Sequence, residues 1–220
     1  MKNASGFLRR RAALVAGALL LAPLWTSPSG AADVIAEWTS AKAPPVPELK
    51  PVTLDGKTTA LLILDLQKPS CTMERRKRCV DTIPKVKALL DAARNAGAMV
   101  FYSFAGAGKP DEIADPGLAP REGEWMAQRG PDKFLGSDLE KRLKDRGIKT
   151  VIVTGSSAQG VVIGTGSGAA QRGYKVIVPV DGMSSDDAYA EQYTAWHMYK
   201  GGPAIVTDQV TLTRSEMIKF

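Results

Sequence analysis

The chain has 220 residues, enough for one domain with a sizeable buried core. Its composition, 44% hydrophobic and 24% charged, is typical of a globular protein. The net charge is +6, but residues 1–32 hold four basic and no acidic residues, and the remainder carries 25 basic residues against 23 acidic ones, so the charge gives no reason to expect nucleic-acid binding.

The first 32 residues have the order of a secretory signal. Lys2 and the arginines at 9–11 form a basic start, an apolar run follows at 12–25, and small residues come next. The run has 14 residues, and a membrane span needs about 20. We expect cleavage after Ala31 or Ala32 and a periplasmic or secreted protein without membrane contact thereafter. The arginines leave the twin-arginine route open beside the general secretory route.

Two cysteines, Cys71 and Cys79, lie close together in "CTMERRKRC". In an oxidising compartment such a pair predicts a disulfide. The alternative is a reactive thiol beside the four basic residues at 75–78, because nearby cations favour the thiolate. A phosphate-binding C-x5-R loop is excluded, since it requires arginine where the chain has Lys77.

The first half of the chain changes from an extended to a periodic pattern near residue 59. Residues 33–58, rich in proline, predict an extended N-terminal arm, and 59–220 a single domain. The apolar run at 60–64 predicts a strand buried on both faces. "DTIPKVKALLDAARNAG" predicts a helix with Pro84 in its first turn and Gly97 past its end. "AMVFYSF" predicts the second strand.

The second half continues this alternation after a long irregular segment, 105–133, which we expect to be functional or mobile. A capping box of Ser137 and Glu140 opens a helix that ends at Gly147. "KTVIVTG" and "YKVIVPVDG" predict strands, "DAYAEQYTAWHMYK" a helix and "AIVT" a fifth strand. The pattern predicts a three-layer α/β/α domain with a mainly parallel, Rossmann-like sheet of five to six strands.

A glycine-rich stretch, "IVTGSSAQGVVIGTGSGAA", formally contains the G-x-G-x-x-A pattern at 164–169. A dinucleotide site requires that pattern directly after a strand, whereas here it starts about ten residues later, inside the predicted helix. We therefore expect no nucleotide and no other cofactor. Glycine costs about 0.5–1 kcal/mol in a helix relative to alanine, so several of them indicate close packing against the sheet or a neighbouring subunit.

Three segments resemble the isochorismatase-like cysteine hydrolases over roughly residues 57–186. "ALLILDLQK" resembles their first strand, which ends in Asp-x-Gln. "DKFLGSDLEKRLKDRGIKTVIVTG" resembles their Phe-x-x-Thr-x-Leu helix and the strand after it. "TGSSAQGVVIGTGSGAAQRGYKVIVPVDGMS" resembles their nucleophile segment.

The resemblance implies a catalytic set of a cysteine nucleophile, an aspartate base and a lysine. Counted from both ends of its segment, the cysteine position holds Val161, so the family nucleophile is absent. Asp65 matches the aspartate, and its alternative role is to cap a strand end. An ungapped register puts the lysine at Gln128, and the nearest basic candidate is Lys133, whose alternative is a solvated charge.

The same resemblance implies a binding pocket at the carboxyl ends of the strands. Its expected residues are Gln67, Phe134, Gly155, Ser156, Ser157 and Gly160, with the 155–160 loop as an oxyanion-type donor group. The metal pattern of the nicotinamidase branch is missing. His197, the only histidine, is expected to pack in an aromatic helix rather than to bind metal.

Three functions remain open from the sequence. The domain can bind a small molecule in the inherited pocket without the family's covalent chemistry. It can catalyse hydrolysis or lysis without cysteine, with Asp65 as general base and Ser156, Ser157 or Thr165 as nearby hydroxyls. It can be an interaction protein that uses the small-residue helix and "YAEQYTAWHMY" as an oligomer surface. We expect a homo-oligomer.

Overall fold

The computed structural model describes residues 33–106, 108–127 and 130–220. The predicted signal at 1–32 and position 128 lie outside the described residues. The chain divides into two compact units with the boundary after Ala43. Of the first unit, residues 33–43 are described, and successive hydrogen-bonded turns occupy 34–40. No helix among the described residues is long and apolar enough to cross a membrane.

The second unit, residues 44–220, alternates strands and helices along most of its length. Its strands are β1 (Val52–Thr53), β2 (Thr59–Leu64), β3 (Met99–Ser103), β4 (Trp125–Ala127), β5 (Thr150–Ser156), β6 (Lys175–Pro179), β7 (Met183–Ser184), β8 (Val210–Thr213) and β9 (Ile218–Lys219). Its α-helices are α1 (Met73–Asn95), α2 (Leu139–Asp145), α3 (Ile163–Gln171), α4 (Ala188–Trp196) and α5 (Ala204–Thr207).

The main sheet is parallel throughout and has the order β4-β3-β2-β5-β6-β8, with β7 pairing to the end of β5. The predicted fold class is confirmed. The sheet has seven strands rather than the predicted five to six. Two short strands were not predicted from the sequence, because β4 lies inside the irregular segment and β7 has only two residues. β1 and β9 form a separate parallel pair.

The central strand β2 shows why helices cover both faces of the sheet. All six of its residues are buried, and alternate side chains enter different cores. Leu62 and Leu64 pack with residues of α2 and α3, whereas Leu61 and Ile63 pack with α1. Burial on both faces accounts for the continuous apolar run.

The structure corrects two element boundaries. The first helix starts at Met73, about ten residues before its apolar periodicity, and Pro84 lies inside it. The added residues are mainly Arg, Lys and Glu, which have high helix propensity without an apolar pattern. Residues 204–207, predicted as a strand, form α5, and the strand follows as β8. A four-residue apolar run does not distinguish a strand from a helix.

Residues 33–58, predicted as an extended arm, are divided between the two compact units. From Pro44 onward they belong to the second compact unit. Lys50 N–H donates to the Leu212 carbonyl at 3.0 Å, and β1 pairs in parallel with β9 at the end of the chain. These bonds join residues 50–53 to the domain.

Candidate functional site

Asp65 follows the last residue of β2, at the carboxyl edge of the sheet. Its φ is +55°, a left-handed conformation that aspartate tolerates better than most residues. The residue is 4% exposed, and its carboxylate accepts a hydrogen bond from Ser103 Oγ at 2.6 Å. Its N–H donates to the Ser103 carbonyl at 2.9 Å, so β3 fixes both the backbone and the side chain.

Lys133 is fully buried and forms an ion pair with Asp65. Its Nζ lies 3.0 Å from both carboxylate oxygens. The sequence left the lysine position open between 128 and 133; the structure places Lys133 at Asp65, and position 128 lies outside the described residues. A buried lysine needs a compensating charge of this kind because desolvation of an unpaired ammonium is costly.

The glycine-rich helix α3 packs closely against the segment that carries Lys133 and positions it. Thr165 Oγ1 accepts from the Lys133 N–H at 3.2 Å and donates to the Pro131 carbonyl at 2.9 Å. A Cβ at Gly164 would meet the Pro131 carbonyl oxygen at 2.9 Å, and one at Gly168 would meet the Asp132 carboxylate at 2.7 Å. The glycines therefore permit a close approach within this chain, and the G-x-G-x-x-A pattern lies inside a helix as predicted.

Val161 lies on a π-helical turn, Ala158–Val162, between β5 and α3. Single π-helical turns often occur at functional sites. The valine is 7% exposed and borders the same cavity as Asp65. Its alkyl side chain has no atom that can attack a carbonyl. Cys71 and Cys79, the chain's two cysteines, are joined in a disulfide, so neither offers a thiol.

One cavity of about 380 Å³ brings the central candidates together. This volume is near the lower end of the range for small-molecule sites, roughly 300–1,000 Å³. Its lining combines charged groups, hydroxyls and small apolar residues: Asp65, Ser70, Arg76, Ala105, Gly106, Gly130, Pro131, Ser156, Ser157, Gly160 and Val161. Larger cavities, of about 440, 650 and 780 Å³, have linings that include neither Asp65 nor Lys133.

Three predicted pocket residues lie outside the lining of this cavity. The Gln67 amide bonds to the backbone of Ala105, accepting from its N–H at 2.7 Å, and so ties two loops together. Phe134 stacks on Tyr174 in the core. Gly155 lies within β5, where it passes close to Leu64. These contacts are made with other parts of the chain and not with the cavity.

His197 is half-buried at the end of α4, with its ring centroid 5.8 Å from that of Tyr193. Nearby, the Cβ position of Gly166 would come within 2.4 Å of the Met198 methyl group. This glycine of α3 therefore faces its own chain. Three aromatic residues of α4 are exposed: Tyr189, Tyr193 and Trp196.

Arg76 is a residue of the cavity that the sequence did not single out. It sits inside α1 but has non-helical angles, φ −148° and ψ 74°, and the helix is kinked there. Its Nη1 donates to Ser156 Oγ at 2.8 Å and its Nε to Asp186 Oδ1 at 2.7 Å. The arginine holds the pKa of the Asp186 carboxyl below its usual value by this hydrogen bond. The signal in the sequence was only a cluster of four basic residues, 75–78.

Comparison with known families gives a match over most of the domain. Residues 59–210 match the family model described as the isochorismatase domain. The matched range contains all the residues that line the cavity.

The individual relatives described next are each less than 30% identical to this chain. An uncharacterized isochorismatase family protein of Bacillus subtilis, YwoC, is 29% identical over 157 residues, 61% of this chain and 82% of that protein. The N-carbamoylsarcosine amidase of an Arthrobacter species is 28% identical, over 58% of this chain and 59% of that enzyme. The crystal structure of an isochorismatase family protein from Desulfovibrio vulgaris superposes with a TM-score of 0.65 at 22% identity, covering 72% of this chain and 95% of that one.

Proposed function

Because the chain belongs to the isochorismatase-like hydrolase family, we propose that it is an exported member which binds a small molecule without covalent cysteine catalysis. The cavity bounded by Asp65, Arg76 and Val161 is the binding site. Export is supported by the signal-like pattern of residues 1–32 and by the Cys71–Cys79 disulfide, a bond typical of oxidising compartments.

The observation that carries the proposal is that Val161 shares a cavity with Asp65, which is ion-paired to Lys133. Nucleophilic hydrolysis by this family's mechanism needs a thiolate that attacks the carbonyl and an aspartate that takes the thiol proton. Asp65 and Lys133 are in contact, while Val161 supplies only carbon and hydrogen at the nucleophile position. The residues that would support the reaction then serve to recognise a ligand.

A cysteine-independent hydrolase or lyase is the second candidate. It is favoured by the presence of Asp65 and the Ser157 hydroxyl in one cavity. A general base must accept a proton from water or from the substrate. Among the described residues, the side-chain hydrogen bonds to the Asp65 carboxylate come from Ser103 and Lys133 and not from Ser157, so the carboxylate is not positioned to activate that hydroxyl.

Homo-oligomerisation is compatible with either function. The exposed aromatic side chains of α4 are of a type enriched at protein interfaces. We propose this surface, rather than the glycine face of α3, as the contact between copies.

The test is a panel of amides, carbamoyl compounds and vinyl ethers, including N-carbamoylsarcosine, offered to the protein without residues 1–32. We expect binding of at least one compound by calorimetry and no hydrolysis above the uncatalysed rate. Asp65→Asn should weaken that binding, and Asp91→Asn, which alters an exposed carboxylate paired with Lys87, should not. Hydrolysis that Asp65→Asn abolishes and Asp91→Asn retains would contradict the proposal and support the cysteine-independent mechanism.

A further inference from the structure

Arg76 reaches the cavity because the helix around it is interrupted. Residues 73–75 form a first turn capped by Thr72, whose side chain accepts from the Arg75 N–H at 3.2 Å. The backbone then leaves the helical conformation at Arg76. The disulfide joins Cys71, before this kink, to Cys79, after it, and both cysteines are buried. The kink is thus enclosed in a covalent loop on the α1 side of the sheet.

The guanidinium is largely withdrawn from water. The Arg76 side chain is 11% exposed, whereas its counter-charge, the Asp186 side chain, is 62% exposed. Because water screens an exposed carboxylate, Asp186 offsets the arginine only in part. Asp65 also lines the cavity, and its charge is compensated by the buried Lys133. The cavity is therefore bordered by a compensated carboxylate, Asp65, and by an incompletely balanced cation, Arg76.

Arginine has five N–H donors in a planar fork. Among the described residues two acceptors meet this fork, Asp186 at Nε and Ser156 at Nη1. The guanidinium can therefore donate further hydrogen bonds, and the planar fork matches the geometry of a carboxylate. Ser70 and Ser157 add hydroxyl groups to the same lining.

We propose that Arg76 makes the cavity selective for small molecules that carry a carboxylate. The carboxylate binds the Arg76 guanidinium, and the rest of the molecule extends toward Val161 and Pro131, which offer apolar contact. The volume of about 380 Å³ restricts the class to small organic acids. This inference rests on the proposed binding function and specifies its ligand class.

The experiment compares matched acids and amides by calorimetry: benzoate with benzamide, and N-carbamoylglycine with its amide. Hydrogen bonds to a charged group predict that the protein prefers each acid by about tenfold to a hundredfold. Arg76→Gln should reduce this preference to near unity. Arg76→Lys, which keeps the charge without the fork, should retain part of it.

Lys77→Gln is the matched control. It removes one positive charge from the same disulfide loop, but Lys77 is exposed and pairs with Asp81. It should leave the acid preference unchanged, and thermal unfolding should show that all the variants are folded. The inference is overturned if the wild-type protein binds acid and amide equally, if Arg76→Gln keeps the preference, or if none of the four probes binds. Equal binding of acid and amide would not contradict the proposed binding function, which the wider panel of compounds tests independently.

Discussion

Replacing Lys133 with methionine is expected to lower the free energy of unfolding by about 3–5 kcal/mol. The substitution keeps most of the side-chain volume but removes the ammonium group that lies 3.0 Å from the Asp65 carboxylate. Asp65 is 4% exposed, so water solvates its carboxylate only poorly once the ammonium is removed. An unpaired buried charge is much less stable than either a buried pair or a buried apolar residue.

Chemical denaturation measures this effect, and a double-mutant cycle assigns it to the pair. Asp65→Asn removes the charge while keeping a residue that tolerates positive φ. The double variant should lose less stability than the sum of the two single variants. Lys141→Met, which breaks an exposed pair with Asp145, should cost about 0–1 kcal/mol. A loss below about 1 kcal/mol for Lys133→Met would show that the pair contributes little.

Replacing Gly155 with alanine is expected to cost about 3–5 kcal/mol. The residue has φ +140°, where a side chain is strained by about 1–3 kcal/mol. Its Cβ would also lie 2.2 Å from the Leu64 carbonyl oxygen and 2.7 Å from Leu64 Cβ, and overpacking adds about 1–3 kcal/mol. To relieve this collision, β5 would have to move away from β2 at the point where β2 leads into Asp65.

Gly97→Ala separates the two causes. Gly97 also has positive φ, +73°, but nothing lies within 4 Å of its Cβ position. Urea unfolding should show a loss of about 1–2 kcal/mol for this variant, caused by conformation alone. If both variants lose the same stability, the close approach of β5 to β2 is not the reason for glycine at 155.

The parts of the site that follow from strand ends could be predicted from the sequence. The run before Asp65 is buried on both faces, so its end had to lie at the carboxyl edge of a parallel sheet. Val161 was assigned to the family's cysteine position by counting residues along one continuous segment, and it lines the cavity that Asp65 also borders. Both predictions depend on local patterns and on the order of the strands.

Arg76 and Lys133 could not be placed in the same way, because their positions depend on tertiary contacts. Arg76 enters the cavity through a kink enclosed by a disulfide, and the sequence does not distinguish it from the three other basic residues at 75–78. Lys133 follows an irregular segment whose length does not fix a register, and its place depends on the glycines and Thr165 of α3. The packing role of those glycines was anticipated, but their partner was not.

The most direct test of the central claim is the thiol reactivity of Val161→Cys, measured as the rate of alkylation by iodoacetamide at neutral pH. If the site is intact except for its nucleophile, the nearby Asp65–Lys133 pair will favour the thiolate. The thiol at 161 should then react at least about tenfold faster than that of Val162→Cys, which replaces the next, fully buried valine. Asp65→Asn should remove the difference. Equal, slow alkylation of the two thiols would contradict the claim that this cavity retains the frame of a cysteine hydrolase.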